Sequence, residues 1–512
     1  MRKNWKKLSG VGLALLGAVL SGCGGDGQTA ADAAAKPALR AEGMVASQAT
    51  VAATASPVKS RSVDAVPVPA RIALGALESN KALLAPVLPG PRMVGEARAV
   101  SAAATVEQTR QQLQWSRSAT GAQVAALSIS AKEALGLRLG VQVTSLPESA
   151  VLRVYSQARS GTVFQISGKD VLLHVLRNTQ AAGDSAEART WWTPDIGSDE
   201  VTLEIELPAG EVADTVQIAV PTVSHIFTDL DLHEDSAAQT KINESASCNQ
   251  DAVCDSGFTT QSNAVARMLF TSGGNSYACS GTLLNDAKNS GTPYFLSANH
   301  CISTQTAAST LQTDWFYRAS ACNSRALSST TTKLYNGATL LYASSSTDVS
   351  LMRLDDAPPA GAYFAGWDAS GSAMSNGAAI VGLHHPAGDM LKISKGQIAG
   401  QTSCVATEGN QFGCTGSTGN FYVVGWNSGT TQGGSSGSAI FSGDGRYVVG
   451  NLYGGGASCT NRGAMDYYGR FDVSYAQGLK NWLGGQSTPP SGGGGVAALD
   501  NIVRILQSLR SN

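Results

Sequence analysis

Two short stretches decide the fold of this chain: Ser297-Ala298-Asn299-His300-Cys301 and Gly434-Ser435-Ser436-Gly437-Ser438. The first directly follows the apolar run Tyr294-Phe295-Leu296 and places a histidine beside a cysteine. The second sets Ser436 in a glycine-flanked segment whose side chains are too small to form a core. Because a serine hydroxyl needs a neighbouring base to become a good nucleophile, the two stretches together indicate a histidine-activated serine.

An acidic residue lies between these stretches in the chain. Asp348, within Ser346-Thr347-Asp348-Val349-Ser350-Leu351, is the candidate, because a carboxylate holds such a histidine in the correct tautomer. The chain order is therefore histidine, aspartate, serine, which is one of three orders in which this arrangement occurs. His300, Asp348 and Ser436 are the predicted catalytic residues.

The N-terminus has the pattern of an export signal. The basic residues at its start are Arg2, Lys3, Lys6 and Lys7. The apolar stretch 11–20 that follows them is too short to span a bilayer. Leu20-Ser21-Gly22-Cys23 resembles a bacterial lipobox, in which cleavage before Cys23 exposes a thiol for lipidation; an ordinary secretory signal with an incidental Cys23 is the alternative. We expect an exported protein, either lipid-anchored in the cell envelope (outer membrane or periplasmic side) or secreted after processing.

The cysteines indicate an oxidising compartment. The chain has nine, and all except Cys23 lie between Cys248 and Cys459. An even set confined to one region of an exported chain predicts disulfides. No Cys-x-x-Cys pair is present and the histidines lack ligand spacing, so we expect no metal site, and no motif suggests a cofactor. A net charge of -2 with 14% charged residues provides no basic surface for nucleic acid.

Composition and periodicity divide the 512 residues into five segments. We predict a signal peptide of lipoprotein type (1–22), an Ala/Pro/Ser-rich tether with a short helix near 107–115 (23–121), a β-rich unit with its linker (122–241), a domain of short apolar runs broken by Gly, Ser and Asn that ends in a helix (242–484), and a Gly-rich linker with a short C-terminal helix (485–512). Period-two alternation predicts a small β-sandwich in the third segment and antiparallel barrels in the fourth. The alternating runs are 137–143, 150–155, 201–207 and 215–220.

Residues 242–484 resemble the lysyl endopeptidases, bacterial serine proteases of the chymotrypsin fold. The motifs that carry the resemblance follow one another in the family's order. They are Cys248 with Cys254, Cys279-Ser280-Gly281-Thr282-Leu283, the His300 segment, the Asp348 segment, Ala365-Gly366-Trp367-Asp368, His384-His385-Pro386, the Ser436 segment and Asp466-Tyr467-Tyr468-Gly469-Arg470. The resemblance implies an all-β fold with two antiparallel six-stranded barrels of chymotrypsin type. The β-sandwich before them is similar to the family's propeptide.

The resemblance also implies residue roles. His300 is the general base, Asp348 orients it and Ser436 is the nucleophile, with the backbone N–H groups of Gly434 and Ser436 forming an oxyanion hole. Ser438 is the competing nucleophile, but it stands where these proteases keep a small residue.

Asp466 occupies the place of the family's S1 carboxylate, which pairs with a substrate ammonium. An isolated aspartate at such a position would otherwise be read as a surface turn residue. Tyr453, in Leu452-Tyr453-Gly454-Gly455, replaces a histidine of the family, and Gln411-Phe412 stands in the loop of its stacked tryptophan. Asp466, Tyr453 and Gly454 are the predicted substrate-binding residues, and the strictness of Lys over Arg stays open.

Disulfide pairing follows from the same resemblance. It implies the pairs Cys248–Cys459, Cys254–Cys322 and Cys279–Cys301, and leaves Cys404 and Cys414 as a fourth pair.

The leading hypothesis is an exported endopeptidase, made as a zymogen, that cleaves polypeptides after Lys and releases its own N-terminal region after Lys241. A broader trypsin-like Lys/Arg protease is the alternative, and a catalytically inactive surface binding module is the alternative of a different class. We expect a monomer that contacts a membrane through the lipid on Cys23 if the lipobox is used.

Overall fold

The computed structural model describes residues 38–46, 69–77, 91–158, 163–230, 245–371, 374–406 and 412–485. Cys23, Lys241, Gln411 and the predicted C-terminal helix lie outside the described residues.

The elements before residue 231 are mostly strands. They are β1 (Arg40–Ala41), β2 (Met44–Val45), β3 (Ala70–Leu74), β4 (Arg92–Ala99), α1 (Val106–Gln112), β5 (Ser116–Arg117), β6 (Gln123–Ala131), β7 (Gly136–Ser145), β8 (Val151–Tyr155), β9 (Phe164–Ser167), α2 (Gly168–Ala182), β10 (Thr190–Trp192), β11 (Glu200–Leu207) and β12 (Gln217–Ile226).

The elements after residue 244 are again mostly strands. They are β13 (Gln250–Asp251), α3 (Thr259–Ser262), β14 (Val265–Ser272), β15 (Asn275–Leu284), β16 (Tyr294–Ala298), α4 (Gln305–Ala308), β17 (Gln312–Trp315), β18 (Thr332–Leu334), β19 (Ala338–Ser344), β20 (Val349–Leu354), β21 (Tyr363–Phe364), β22 (Gly366–Asp368), β23 (Ala379–His384), β24 (Lys392–Ala406), β25 (Phe412–Thr415), β26 (Phe421–Ser428), β27 (Ala439–Ser442), β28 (Tyr447–Gly455), β29 (Asp466–Arg470), α5 (Phe471–Ser474), a π-helical turn (Tyr475–Leu479) and α6 (Lys480–Leu483).

Residues 69–230, here called the N-terminal unit, form two packed sheets. One has the order β3-β6-β11-β8-β9, and the other begins β10-β7-β12-β4. Their inner faces share one apolar core to which Leu127, Leu139 and Leu203 contribute. All four predicted alternating runs are strands here, namely β7, β8, β11 and β12.

Helix α2 was not predicted, although its sequence carries helical signals. The Ser167 hydroxyl accepts a hydrogen bond from the Asp170 N–H at 3.1 Å, which caps the first turn. Val171, His174, Val175 and Asn178 are buried at the i, i+3, i+4, i+7 spacing of one helix face. Because alternating runs typical of strands lie on both sides of this segment, the sequence predicts a sandwich made only of strands.

The predicted tether over 23–121 is wrong for its described part. Strand β3, strand β4 and helix α1 belong to the N-terminal unit, which therefore begins well before residue 122. Only Val94 and Gly95 of β4 are buried, so its sequence lacks a clear alternation. Its pairing with strands on both sides stabilises it instead, and local sequence does not report such pairing.

The second barrel is closed. Its six strands pair in the ring β23-β24-β26-β29-β28-β27, and β27 returns to β23. The first barrel is formed by β14 to β20, with β15 pairing with β14 and β16, and among the described strands no ladder joins β18 to β19. The all-β prediction with two antiparallel barrels after a small β-sandwich is confirmed. Helices α5 and α6 with the π-helical turn between them form the predicted closing helix.

Residues 38–46, here called the N-terminal strap, lie on the second barrel. Strand β1 pairs with β22 and strand β2 pairs with β21. Arg40 forms an ion pair with Asp368, whose side chain is buried, and the Tyr447 hydroxyl donates to Glu42 at 2.5 Å. Among the described residues, every helix is too short or too polar to cross a bilayer.

Candidate active site

His300 lies at the end of β16, where it is paired with Asp348 just before β20. The His300 Nδ1–H donates to Asp348 Oδ2 at 2.6 Å, and the His300 backbone N–H donates to Asp348 Oδ1 at 2.9 Å. Both carboxylate oxygens are therefore engaged by one residue, which fixes the ring orientation and makes Nε2 the proton acceptor. Burial raises the pKa of Asp348 above its usual range, while the charge and hydrogen bonds of His300 oppose that rise.

The backbone at Asp348 is held in a strained conformation. Its φ is 49°, which is uncommon for a residue with a side chain. The Asp348 carbonyl accepts hydrogen bonds from the Asn299 N–H at 3.1 Å and from Asn451 Nδ2 at 2.8 Å. Asn451 comes from β28 in the other barrel, so it links the two barrels at the base of the His–Asp pair. Its isolated position in the sequence gave no signal of this role.

Ser436 lies in the turn between β26 and β27, where Gly434 has a φ of 97°. A Cβ at this position would lie 2.9 Å from both Gly388 N and His385 O, so glycine is required for conformational and steric reasons. Ser436 is buried, and its carbonyl accepts from the Ser280 N–H at 2.9 Å. The turn is thus attached to β15 in the first barrel.

A chain of buried hydrogen bonds also stabilises the turn that contains Ser436. The Ser435 hydroxyl accepts from the Gln432 N–H at 3.1 Å and bonds to His384 Nδ1 at 2.8 Å. His384 Nε2 bonds at 3.0 Å to Ser394, whose hydroxyl donates to a backbone carbonyl. Because Ser394 donates onward, it accepts from His384 Nε2–H, and the neutral ring accepts from Ser435. Burial, assisted by the charge of Lys392, lowers the pKa of His384 to about 3.

Among the described residues, no hydrogen bond joins Ser436 to His300, and Tyr453 with its neighbours lies near both. His300 Nε2 is buried and has no hydrogen-bond partner among the described residues. The ring of Tyr453 lies 6.0 Å from that of His300, and its neighbours Leu452 and Gly454 line the same cavity as Ser436. Hydrogen bonds between a nucleophile and its base are often formed only when substrate binds.

The cavity beside Ser436 has a volume of about 290 Å³. Its lining residues are Thr431, Gln432, Gly433, Ser436, Leu452, Gly454, Gly455, Gly456, Ala457 and Ser458. Asp466 lies directly behind this lining and is fully buried. Its Oδ2 accepts from Thr431 Oγ1 and Trp426 Nε1, each at 2.7 Å, and its Oδ1 accepts from the Ala457 N–H at 3.2 Å.

The Asp466 carboxyl group is buried and has no cationic partner among the described residues. In the described part of the chain, no Lys or Arg pairs with it, and burial raises its pKa above the usual range although three hydrogen bonds oppose that rise. Gly455, its partner across the β28–β29 ladder, makes room for it, because a Cβ there would lie 2.1 Å from Asp466 Oδ1. Sequence reasoning identified Asp466 and missed Gly455, Thr431 and Trp426. Only the strand register shows that these residues surround the carboxylate.

A cluster of stacked aromatic side chains lies next to His300. The ring of Tyr453 is stacked with Phe412 at 4.2 Å and with Phe421 at 5.3 Å between centroids. Phe412 is presented by the β24–β25 hairpin, which the Cys404–Cys414 disulfide closes. A tyrosine–phenylalanine stack therefore occupies the place where the sequence departs from the family's histidine–tryptophan pair.

The structure contains four disulfides, and their pairing matches the prediction. They are Cys248–Cys459, Cys254–Cys322, Cys279–Cys301 and Cys404–Cys414. Cys279–Cys301 joins β15 to the residue that follows His300. No group of three or more His, Cys, Asp or Glu side chains that could hold a metal occurs in the described ranges.

The chain has two barrels, with a histidine–aspartate pair and a serine at their junction. This arrangement is typical of serine proteases of the chymotrypsin fold. Two family models identify the family within that class. The model described as "Lysyl endopeptidase, C-terminal domain" matches residues 242–469, and "Lysyl endopeptidase N-terminal domain" matches residues 65–227. The lysyl endopeptidase of Pseudomonas aeruginosa is 33% identical over 411 residues, which cover 77% of this chain and 82% of that protein. The chain therefore belongs to the lysyl endopeptidase family and is a serine endopeptidase rather than an inactive binding module.

Other similar proteins cover less of the chain or are more distant. "Secreted RxLR effector protein 73" of Plasmopara viticola is 30% identical over 228 residues, or 43% of this chain and 52% of that protein. Among solved structures, the MamO protease domain of Magnetospirillum magneticum gives a TM-score of 0.31 at 10% identity, covering 43% of this chain and 98% of that one. Rv3671c protease of M. tuberculosis in its active form gives 0.30 at 15% identity, covering 52% and 99%. These scores are too low to add to the assignment.

Proposed function

We propose that this protein is an exported endopeptidase that hydrolyses peptide bonds on the carboxyl side of Lys, with His300, Asp348 and Ser436 as its catalytic triad. The observation that carries the proposal is the buried Asp466 carboxylate, which lies behind the cavity next to Ser436 and has no cation beside it among the described residues. A buried carboxylate of this kind favours a cationic side chain and rejects a neutral one.

The proposed reaction follows from the atoms around Ser436. Its Oγ attacks the peptide carbonyl while His300 Nε2 accepts the hydroxyl proton, and Asp348 stabilises the imidazolium that forms. The carbonyl oxygen becomes an oxyanion, which the backbone N–H groups of Gly434 and Ser436 stabilise; such a donor contributes roughly 2.7–4 kcal/mol in comparable sites. His300 then protonates the leaving amine. Water, deprotonated by His300, then attacks the acyl carbonyl, and His300 returns the proton to Ser436 Oγ as the acyl–oxygen bond breaks.

The hydrogen bonds of Asp466 support Lys over Arg. Oδ2 already accepts two hydrogen bonds and Oδ1 accepts one, so the carboxylate does not offer two free oxygens side by side. A guanidinium gains most from a bidentate contact, whereas an ammonium is a point charge that needs one acceptor. We therefore favour a lysyl endopeptidase over a protease that accepts both residues equally.

Matched peptides that differ only in Lys, Arg or norleucine before the scissile bond test this proposal. We expect kcat/KM to be highest for Lys and at least ~100-fold lower for norleucine. Asp466→Asn should remove the preference for Lys, while a serine-directed phosphonate still labels Ser436. Equal kcat/KM for Lys and Arg would support the broader Lys/Arg protease, and an Asp466→Asn variant that keeps its preference would exclude Asp466 from recognition.

Maturation and location are part of the proposal. The N-terminal pattern supports export with lipidation of Cys23, and Lys241 lies in the segment that connects the N-terminal unit to the first barrel. An enzyme that cleaves after Lys would cut its own chain there and leave Ile242 as a new N-terminus. We expect N-terminal sequencing of the wild-type protein to begin at Ile242 and the Ser436→Ala variant to stay uncut. A start elsewhere that is the same in both proteins would contradict self-processing.

A further inference from the structure

The N-terminal unit shares a β-sheet with the first barrel. Strand β4 pairs with β12 of its own unit on one edge and with β15 of the barrel on the other, where Gly95 is opposite Ser276. The sheet therefore runs without a break from β10 through β4 into β15, β14 and β17. Separation of the two parts would leave β4 and β15 each with an unpaired edge, which is a template for aggregation.

Apolar packing continues across the shared sheet. Five buried residues form one cluster to which both parts contribute. They are Val94, Ile226 and Leu230 from the N-terminal unit, with Leu269 and Ala278 from the first barrel. At a second point Phe164 meets Tyr335 edge to face, with 5.6 Å between the ring centroids. Burial of this kind is typical of the interface in a permanent complex, which resembles a domain core.

Buried charged groups also cross between the two parts. Arg177 of α2 forms an ion pair with Asp355 at 2.7 Å and donates to the Thr339 hydroxyl at 2.9 Å. Arg138 of β7 is buried and donates to the Thr310 carbonyl at 2.7 Å. Pairs of this kind fix the register of an interface, and loss of one partner is strongly destabilising.

The N-terminal strap adds a second, separate contact, in which residues of both barrels take part. Besides the Arg40–Asp368 ion pair, the Glu42 carbonyl accepts from Asn285 Nδ2 at 2.8 Å. Ala41 is buried in the core that contains Trp367. The described residues before 231 therefore contact both barrels.

We propose that residues 38–230 stay bound to the two barrels as a permanent subunit after the connecting segment between residues 230 and 245 is cut, so that the mature enzyme is a non-covalent two-chain complex. The inference rests on the proposed function only in assuming that the chain is cut there. Among the described residues, none before residue 231 lines the cavity beside Ser436, so we expect substrate to reach that cavity in the complex. The N-terminal part is then a subunit of the active enzyme and not a discarded propeptide.

The test uses the full chain with Ser436→Ala and a recognition sequence for an unrelated protease placed between residues 230 and 245. After complete cleavage, native mass spectrometry and size-exclusion chromatography at ~10 nM show whether the fragments separate, because a contact with a micromolar Kd dissociates at that concentration. We expect one particle with the mass of the uncut chain. Two separate particles under native conditions would overturn the proposal.

A variant of the interface makes the test specific. Arg177→Ala should weaken the cut complex by at least ~100-fold, because Asp355 loses its partner. Arg189→Ala is the matched control, because Arg189 pairs with Asp184 within the N-terminal unit at a site that is 38% and 64% exposed on the two partners. An Arg177→Ala complex as tight as the control would contradict the assigned interface. If that chain does not fold, Asn178→Ala, which removes the acceptor of the 2.7 Å bond from Ser309, replaces it.

Self-processing plays no part in this test, because Ser436 is absent and an added protease makes the cut. Failure of the proposed function would appear separately, as a wild-type chain that does not cleave after Lys. If the cut fragments stay associated but the wild-type chain does not cleave itself, the subunit proposal is supported and the proposal of self-processing after Lys is overturned.

Discussion

At the scale of one residue, the absence of a side chain at Gly455 leaves the space that the Asp466 carboxylate occupies. We predict that Gly455→Ala lowers kcat/KM for Lys peptides by at least ~100-fold, because the new Cβ would lie 2.1 Å from Asp466 Oδ1 and displace the carboxylate. Steady-state kinetics with a Lys peptide measures the loss.

Gly463→Ala is the control for this variant, since a Cβ at that position meets nothing within 4 Å. Phosphonate labelling of Ser436 should persist in both variants, because neither glycine is one of the three proposed catalytic residues. If kcat/KM is unchanged in Gly455→Ala, cleavage after Lys does not depend on the observed position of Asp466.

The buried neutral His384 links the stability of the protein to pH. Its pKa is about 3 in the folded protein, mainly through burial, against about 6.5 for an unfolded chain. The unfolded state therefore binds more protons between these values, so the contribution of His384 to stability is complete above pH ~6.5 and is lost as the pH falls toward 3.

Lowering the pH from 7 to 5 should therefore reduce the free energy of unfolding of the wild type. We predict that this reduction is about 2 kcal/mol smaller in His384→Gln than in the wild type. Denaturant unfolding of both proteins at the two pH values measures the difference. Parallel pH dependence in the two proteins would show that His384 is not the group that titrates.

At the scale of elements, the β24–β25 hairpin supports the wall beside His300. We predict that Cys404→Ser together with Cys414→Ser reduces the selectivity for the residue before the substrate's Lys, because Phe412 then loses its fixed position against Tyr453. A peptide series that varies only that residue measures the change. Phe412→Ala should reproduce it with the disulfide intact, whereas selectivity that survives both changes would exclude the stack from substrate recognition.

The elements also show which features a sequence reveals. The His300 and Ser436 stretches and the alternating runs of β7 and β11 are local patterns, and they predicted the fold and the residues of the candidate site. The role of Asn451 and the edge-to-edge position of β4 depend on strand register between distant segments. Nothing in the sequence near either one reports that register, so only the three-dimensional structure shows them.

At the scale of the whole molecule, the N-terminal strap ties the start of the chain to the second barrel. We predict that deletion of residues 24–46 lowers the free energy of unfolding by about 2 kcal/mol or more, because Asp368 loses Arg40 and the core around Trp367 loses Ala41. Denaturant unfolding of the Ser436→Ala chain measures this loss.

Arg446→Ala is the control for the deletion, because Arg446 meets Glu42 in an exposed pair that solvent screens and that should contribute little to stability. A deletion no more destabilising than this control would mean that the strap adds little to the fold.

The position of the strap would also limit where a lipid-anchored form of the enzyme works. Ala38 follows Cys23 by about fifteen residues, and a fully extended chain of that length spans at most roughly 50 Å. With a lipid on Cys23 and the strap still bound after cleavage, Ala38 would remain within roughly 50 Å of the bilayer. Proteolysis would then be a surface reaction, whose rate depends on how densely substrates populate the membrane face and not on their concentration in the surrounding medium.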